Sequence, residues 1–143
     1  MTGIGCDHAG YELKLEIIKY FKAKNIDFLD LGCHSADPSD YPVNARKVCE
    51  AVLCGQCINA VLICGTGIGI SIAANRIKGI RAALCGDVFS AKASRRHNDA
   101  NILALGGRVL GAGHAIEIVK AFLETVFSGE ENHIRRIGMI DGE

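Results

Sequence analysis

Five short, almost wholly apolar runs alternate along this chain with amphipathic stretches, and that alternation leaves few folds open. The runs are Thr2–Cys6, Ile26–Leu31, Ile58–Cys64, Ile80–Cys85 and Ile102–Leu105. Apolar residues mostly follow one another in them instead of alternating with polar ones, the pattern of strands covered on both faces. Between the first two, Tyr11–Lys24 carries Leu13, Ile17 and Phe21 four apart with lysines elsewhere, the period of a helix with one buried stripe. Pro42 opens Val43–Leu53, where a first helical turn tolerates it. Ser71–Asn75, Asp87–Arg96, His114–Val126 and the polar Glu130–Ile140 supply further helices. Strand–helix alternation calls for parallel strands joined by right-handed crossovers. The expected fold is a doubly wound, three-layer α/β domain filling residues 1–143, with 129–143 a polar carboxyl-terminal tail.

A chain of 143 residues builds one domain with a real core, not two. No linker, repeat or low-complexity segment interrupts it. Sixteen basic side chains balance sixteen acidic ones, so bulk charge points to neither nucleic acid nor an anionic membrane. No apolar run approaches the ~20 residues that span a bilayer, and no leader pattern precedes the first strand. A cytoplasmic protein is expected. The seven cysteines are odd in number and most sit in apolar runs, as reduced core thiols would. Cys54-Gly55-Gln56-Cys57 ends a helix where a redox pair would open one, and no second pair completes a zinc site. It reads as structural, with Gly55 as a helix cap.

Open α/β sheets bind ligands beyond the carboxyl ends of their strands. There lie Cys6-Asp7-His8, the loop Gly32–Tyr41, Cys64–Gly69, Cys85-Gly86-Asp87 and Gly106-Gly107-Arg108. The turn Gly65-Thr66-Gly67-Ile68-Gly69 joins a buried strand to a helix, so its N–H groups and the helix dipole suit an anion. It is not the dinucleotide fingerprint, because Ile70 stands where that pattern continues, yet Asp87 lies near the spacing of a ribose-binding acid. A nucleotide-binding module is therefore one alternative, and a plain tight turn is another. Cys64, at the strand end, is either core or a thiol activated by the helix terminus. His8 and His97 each have carboxylates as neighbours, the setting of a proton shuttle or of a plain polar loop. His97-Asn98-Asp99 precedes the fifth strand and so belongs at the opposite end of the sheet, unless its helix ends early. His34 and His114 read as surface. Arg108, Arg135 and Arg136 are either phosphate forks or a solvated basic face.

Taken together, Asp7-His8-Ala9-Gly10-Tyr11-Glu12-Leu13-Lys14, Asp40-Tyr41-Pro42, Cys64 through Asn75, Gly79-Ile80-Arg81-Ala82-Ala83 and His97-Asn98-Asp99-Ala100-Asn101 resemble the type B ribose-5-phosphate isomerases. The galactose-6-phosphate and allose-6-phosphate isomerases share that family. The resemblance runs in order over nearly the whole chain. It implies a Rossmann-like sheet of five parallel strands, no cofactor and no metal. It implies a homodimer with active sites at the subunit interface, which can pair further into a tetramer. The activity implied is interconversion of ribose 5-phosphate and ribulose 5-phosphate through an enediolate. Cys64 would be the base, the backbone amides from Gly65 through Gly67 to Gly69 the oxyanion donors, and Thr66 a proton carrier on the sugar oxygens. His97, with Asp7 nearby, would open the furanose ring. His8, Arg108 and Arg136 would hold the phosphate, Arg108 reaching in from the partner, while Tyr41 and Asn98 contact hydroxyls. Asn132 stands where the family pattern has an arginine, Cys6 where serine is common and Val43 where aspartate is common. A six-carbon sugar phosphate is the alternative substrate, and a non-catalytic sensor of sugar phosphates the alternative role.

Overall fold

The computed structural model describes residues 1–142, with Glu143 of the tail outside them. Five strands run through it: β1 (Thr2–Cys6), β2 (Phe28–Asp30), β3 (Asn59–Cys64), β4 (Ala82–Leu84) and β5 (Ile102–Gly106). Six α-helices accompany them: α1 (Tyr11–Ala23), α2 (Tyr41–Leu53), α3 (Ile68–Asn75), α4 (Val88–Asn98), α5 (Ala112–Glu124) and α6 (Glu131–Ile140). All pairings are parallel, in the order β2-β1-β3-β5-β4. This is the doubly wound α/β architecture expected from the alternation, with the five parallel strands and Rossmann-like order that the resemblance implies. No helix is long and apolar enough to cross a membrane among the described residues.

The continuous apolar runs have a simple cause. Successive strand residues point to opposite faces, and both faces of the sheet are covered. Val61, Ile63, Leu103 and Leu105 pack into one layer with residues of α1, α4 and α5, while Ala60, Leu62, Cys64, Ile102 and Ala104 pack into the other with α2 and α3. Each large side chain removed from water there stabilises the fold by roughly 1.5–3 kcal/mol.

The edge strands are shorter than their apolar runs. Ile26–Leu31 is regular strand only over Phe28–Asp30 and Ile80–Cys85 only over Ala82–Leu84, although backbone bonds run on past both, from Leu31 N–H to the Ile4 carbonyl at 2.9 Å and from Cys85 N–H to the Ala104 carbonyl at 3.2 Å. An edge strand has a partner on one side alone, so its regular strand geometry ends sooner. The free side of β4 is blunted by Asn75, whose amide accepts from the Ala82 N–H at 2.8 Å and donates to the Ala82 carbonyl at 2.9 Å. α3 begins at Ile68 instead of Ser71, so the last two residues of the glycine turn are already helix. α4 runs on through His97 to Asn98 and is capped by Asp99 in the left-handed conformation, φ +44°.

Lys14 lies off the stripe of Leu13, Ile17 and Phe21 and is buried all the same. It is 1 % exposed, ion-paired with Asp30 at 2.8 Å, and donates to the Cys33 carbonyl. The Cys54–Cys57 segment follows its structural reading. Cys54 caps α2, Gly55 takes φ +83°, Cys57 is buried, and all seven cysteines are free thiols. His34 and His114 are exposed. The tail is ordered as α6, and its end is tied back by an ion pair between Asp141 and Arg81 at 2.9 Å.

Candidate active site

The chain leaves β3 toward the layer of α2 and α3, whereas its sheet neighbours β1 and β5 feed α1 and α5 in the opposite layer. Diverging connections open a crevice at the carboxyl end of β3, and ligands of doubly wound sheets bind in such crevices. Cys64 is the last residue of that strand, level with Gly106 of β5.

The loops around it are locked backbone on backbone. Asp7 N–H donates to the Ile63 carbonyl at 3.1 Å, Gly107 N–H to the Cys64 carbonyl at 2.8 Å, and Arg108 N–H to the Gly65 carbonyl at 2.9 Å. Gly67 makes the turn possible. Its φ is +80°, and a Cβ there would stand 2.9 Å from the Leu105 carbonyl carbon. From this position Gly67 N–H donates to the Cys64 sulfur at 3.1 Å, so of the amides expected to hold an oxyanion this one is already engaged. Thr66, exposed at the tip, accepts from Ile68 N–H through its hydroxyl at 3.2 Å. Among the described residues, the N–H groups of Gly65, Thr66 and Gly69 reach no protein acceptor. These open donors lie at the positive end of α3, where a negative oxygen is stabilised.

Four more side chains stand at this end. His8 accepts from Ser39 N–H through Nδ1 at 3.1 Å, which leaves Nε2–H of the neutral ring as a donor. The Tyr41 ring lies 2.7 Å from where a Gly69 Cβ would be. The Arg108 guanidinium lies 3.6 Å from the corresponding point on Gly65 of its own chain, although the family resemblance had it reach in from a partner. Asp7 is buried, and its carboxylate accepts from Ala9 and Gly10 N–H at 3.0 and 3.1 Å, capping the single 3-10 turn His8–Gly10. Tyr41 and Gly69 border a hollow of about 440 Å3 that Arg46 and Arg76 also line. Thr66 and Gly106 border another of about 360 Å3. Cys64 is 4 % exposed and lines neither.

His97, Asn98 and Arg136 stand elsewhere. Because α4 runs to Asn98, it returns to the amino ends of β4 and β5. There Arg81, just before β4, donates to the carbonyls of Asn98 and Asp99, each at 3.0 Å. The His97 ring stacks on His133 of α6, centroids 4.5 Å apart, and Arg136 is exposed on the same helix. The five residues of β5 separate this group from Cys64 by about 16 Å at 3.3 Å per residue. Within one chain, therefore, Asp7 is not beside His97. A hollow of about 510 Å3 lies at this far end, lined by Arg81, Asn98 and Asp141.

Two further findings bear on chemistry. Burial pushes the thiol of Cys85, which borders the Thr66 hollow, up to about 11, so it stays protonated at neutral pH. The Asp87 carboxylate is engaged by Ser90, N–H at 2.9 Å and hydroxyl at 2.6 Å, as the cap of α4. Sequence reading missed Ser39 as the residue that orients His8, and Arg81 as the tie between α6 and the end of α4. Pro42 marked the helix start nearby, but nothing local announces that Ser39 meets His8.

An open ring of backbone donors around a strand-end thiol defines a protein that handles a small anionic ligand at a doubly wound switch point. The family model for ribose/galactose isomerases matches residues 2–140. The chain is 50 % identical over 140 residues to a putative sugar phosphate isomerase of Bacillus subtilis, covering 97 % of this chain and 93 % of the relative. It is 45 % identical over 131 residues to ribose-5-phosphate isomerase B of Escherichia coli, covering 92 % and 88 %. The solved ribose-5-phosphate isomerase B of Clostridium thermocellum superposes with a TM-score of 0.96 at 49 % identity, over 99 % of this chain and 95 % of that one. The chain belongs to the ribose/galactose isomerase family. It is an aldose–ketose isomerase.

Proposed function

We propose that this isomerase interconverts ribose 5-phosphate and ribulose 5-phosphate through an enediolate, in the cytoplasm, as a homodimer. Moving a proton between C1 and C2 needs a base beside the carbon and a stabilised negative charge on the neighbouring oxygen. Cys64, as the thiolate, takes the C2 proton and returns it to C1. The unclaimed N–H groups of Gly65, Thr66 and Gly69 receive the enediolate oxygen, and each such donor is worth about 2.7–4 kcal/mol in the transition state. The Thr66 hydroxyl carries protons between the sugar oxygens. His8 through Nε2–H, Arg108 and Arg136 bind the phosphate. Tyr41 and Asn98 bind hydroxyls.

His97 serves ring opening with Asp7, and these two belong to different subunits. The separation of His97 from Cys64 along β5 supports that assignment: only a second copy can bring an α4 terminus to the carboxyl end of β3. The reading rests above all on the conjunction of a strand-end thiol with open donors in a member of this family. The family description also names galactose, so six-carbon sugar phosphates are the second reading. A coupled assay on purified protein with ribose 5-phosphate, allose 6-phosphate and galactose 6-phosphate separates them. Ribose 5-phosphate is expected to turn over fastest. Turnover of a hexose phosphate alone would transfer the proposal to that sugar, and binding of ribose 5-phosphate without turnover would make the chain a sensor.

A further inference from the structure

Beside the sugar site lies a second pair of sulfurs that the isomerisation does not use. Cys6 ends β1, immediately before Asp7 and His8, and Cys33 opens the loop that leads to Ser39 and Tyr41. Their sulfurs are 3.6 Å apart. The backbones are already paired at this point: Cys6 N–H donates to the Gly32 carbonyl at 2.7 Å, and Cys33 N–H to the Cys6 carbonyl at 2.9 Å. Adjacent extended segments lie about 4.7–4.9 Å apart, inside the roughly 4.4–6.8 Å window between α-carbons that a disulfide spans. Bond formation requires the sulfurs to close by about 1.5 Å, to about 2.05 Å, which small side-chain rotations supply. The two thiols differ in access. Cys6 is 0 % exposed, whereas Cys33 is half-buried and donates its hydrogen to the Ser35 carbonyl at 3.2 Å.

We propose that Cys6 and Cys33 form an oxidisable dithiol, a modification site that records peroxide by closing a disulfide at the foot of the sugar-site loop. Atoms and electrons balance in two steps. The Cys33 thiol attacks a peroxide oxygen, the O–O bond breaks, and water leaves with Cys33 as the sulfenic acid. The Cys6 sulfur then attacks the sulfenic sulfur, and a second water leaves as the S–S bond forms. Peroxide gains the two electrons that the sulfurs lose. The order follows from access, since peroxide meets Cys33 first. It is consistent that burial and the neighbouring Cys33 push the Cys6 thiol up to about 12, so Cys6 is the resolving partner and not the first to react.

The cross-link has a consequence at the site. Cys33 gives up its bond to Ser35 and is drawn against β1. The loop it leads carries Ser39, whose N–H orients His8, and ends in Tyr41, which lies on Gly69. Oxidation therefore weakens phosphate and hydroxyl binding before it touches the proton-transfer step. This consequence rests on the isomerase reading, whereas the cross-link does not.

The test treats the whole protein with hydrogen peroxide and reads two things. Non-reducing digestion and mass spectrometry should recover the Cys6 and Cys33 peptides joined, lighter by two hydrogens. KM for the sugar phosphate should rise in step with the cross-linked fraction, kcat should change less, and a dithiol reductant should reverse both. Cys6→Ser and Cys33→Ser should each retain the basal activity and show no such rise. Two variants guard against one failing to fold. Absence of the cross-link, a cross-link that leaves KM unchanged, or an equal loss in Cys6→Ser would each overturn the proposal. A reduced protein without isomerase activity that still forms the cross-link would instead sink the functional reading and leave the dithiol standing.

Discussion

Replacing Gly67 by alanine asks whether the glycine turn is built for chemistry or only for compactness. The backbone there has φ +80°, which costs a residue with a Cβ about 1–2 kcal/mol. The added carbon would also stand 2.5 Å from Leu84 Cδ1 and 2.9 Å from the Leu105 carbonyl carbon. Leu84 is half-exposed and can rotate aside, but Leu105 lies in β5, held on both sides by β3 and β4. The turn must yield instead, by about half an ångström to reach an ordinary contact, at a further cost of roughly 1–3 kcal/mol. The total loss of stability is about 2–5 kcal/mol. The same shift carries Gly67 N–H away from the Cys64 sulfur, now 3.1 Å distant. Misplacement by about 1 Å can cost 100-fold, so half of that predicts roughly a tenfold loss of kcat. Gly69→Ala is the control. The atoms nearest its Cβ belong to the far end of the Tyr41 side chain, which can turn aside, its φ is not positive, and alanine favours the helix. Urea unfolding and coupled turnover measure both variants. Gly67→Ala with a stability loss below about 1 kcal/mol and unaltered kcat would refute the reasoning, while Gly69→Ala should keep its stability and raise KM.

Cys64→Ala should abolish exchange of the C2 proton with solvent while leaving affinity for inorganic phosphate intact; normal exchange would dismiss the thiolate base. Cys64→Ala and His97→Ala, each inactive alone, should recover about a quarter of wild-type turnover when refolded together in equal amounts, because half of the dimers then carry one intact shared site. No recovery would mean that both residues serve from one chain. In alkali, the buried thiols Cys6, Cys49 and Cys85 keep their protons up to about 12, 11 and 11. The unfolded chain releases them near pH 8.5, so the native state binds more protons and stability falls as pH rises, by about 1.4 kcal/mol per thiol per pH unit. Urea midpoints at pH 8 and pH 10 under reductant should show the decline; a flat profile would contradict the burial argument.

The central strands were legible because each is sandwiched between layers. Thr2–Cys6, Asn59–Cys64 and Ile102–Gly106 nearly coincide with their apolar runs. The edge strands and the start of α3 were not, since an apolar residue beyond the last paired position looks like one within the strand, and Ile68-Gly69-Ile70 looks like turn until its hydrogen bonds exist. The burial of Lys14 was not legible for a related reason: its partner Asp30 lies on another element, and α1 alone cannot declare that a lysine off its apolar stripe will be buried.

Periodicity and punctuation along the chain determined the α/β class, the layering and the roster of residues at strand ends, because those follow from local geometry that neighbours in sequence dictate. Only the tertiary structure decided that β5 inserts between β3 and β4, that Tyr41 meets Gly69, and that His97 stands a strand's length from Cys64. Distances between residues remote in the chain depend on which strands pair, and that is settled by the burial of the whole sheet and not by any one segment.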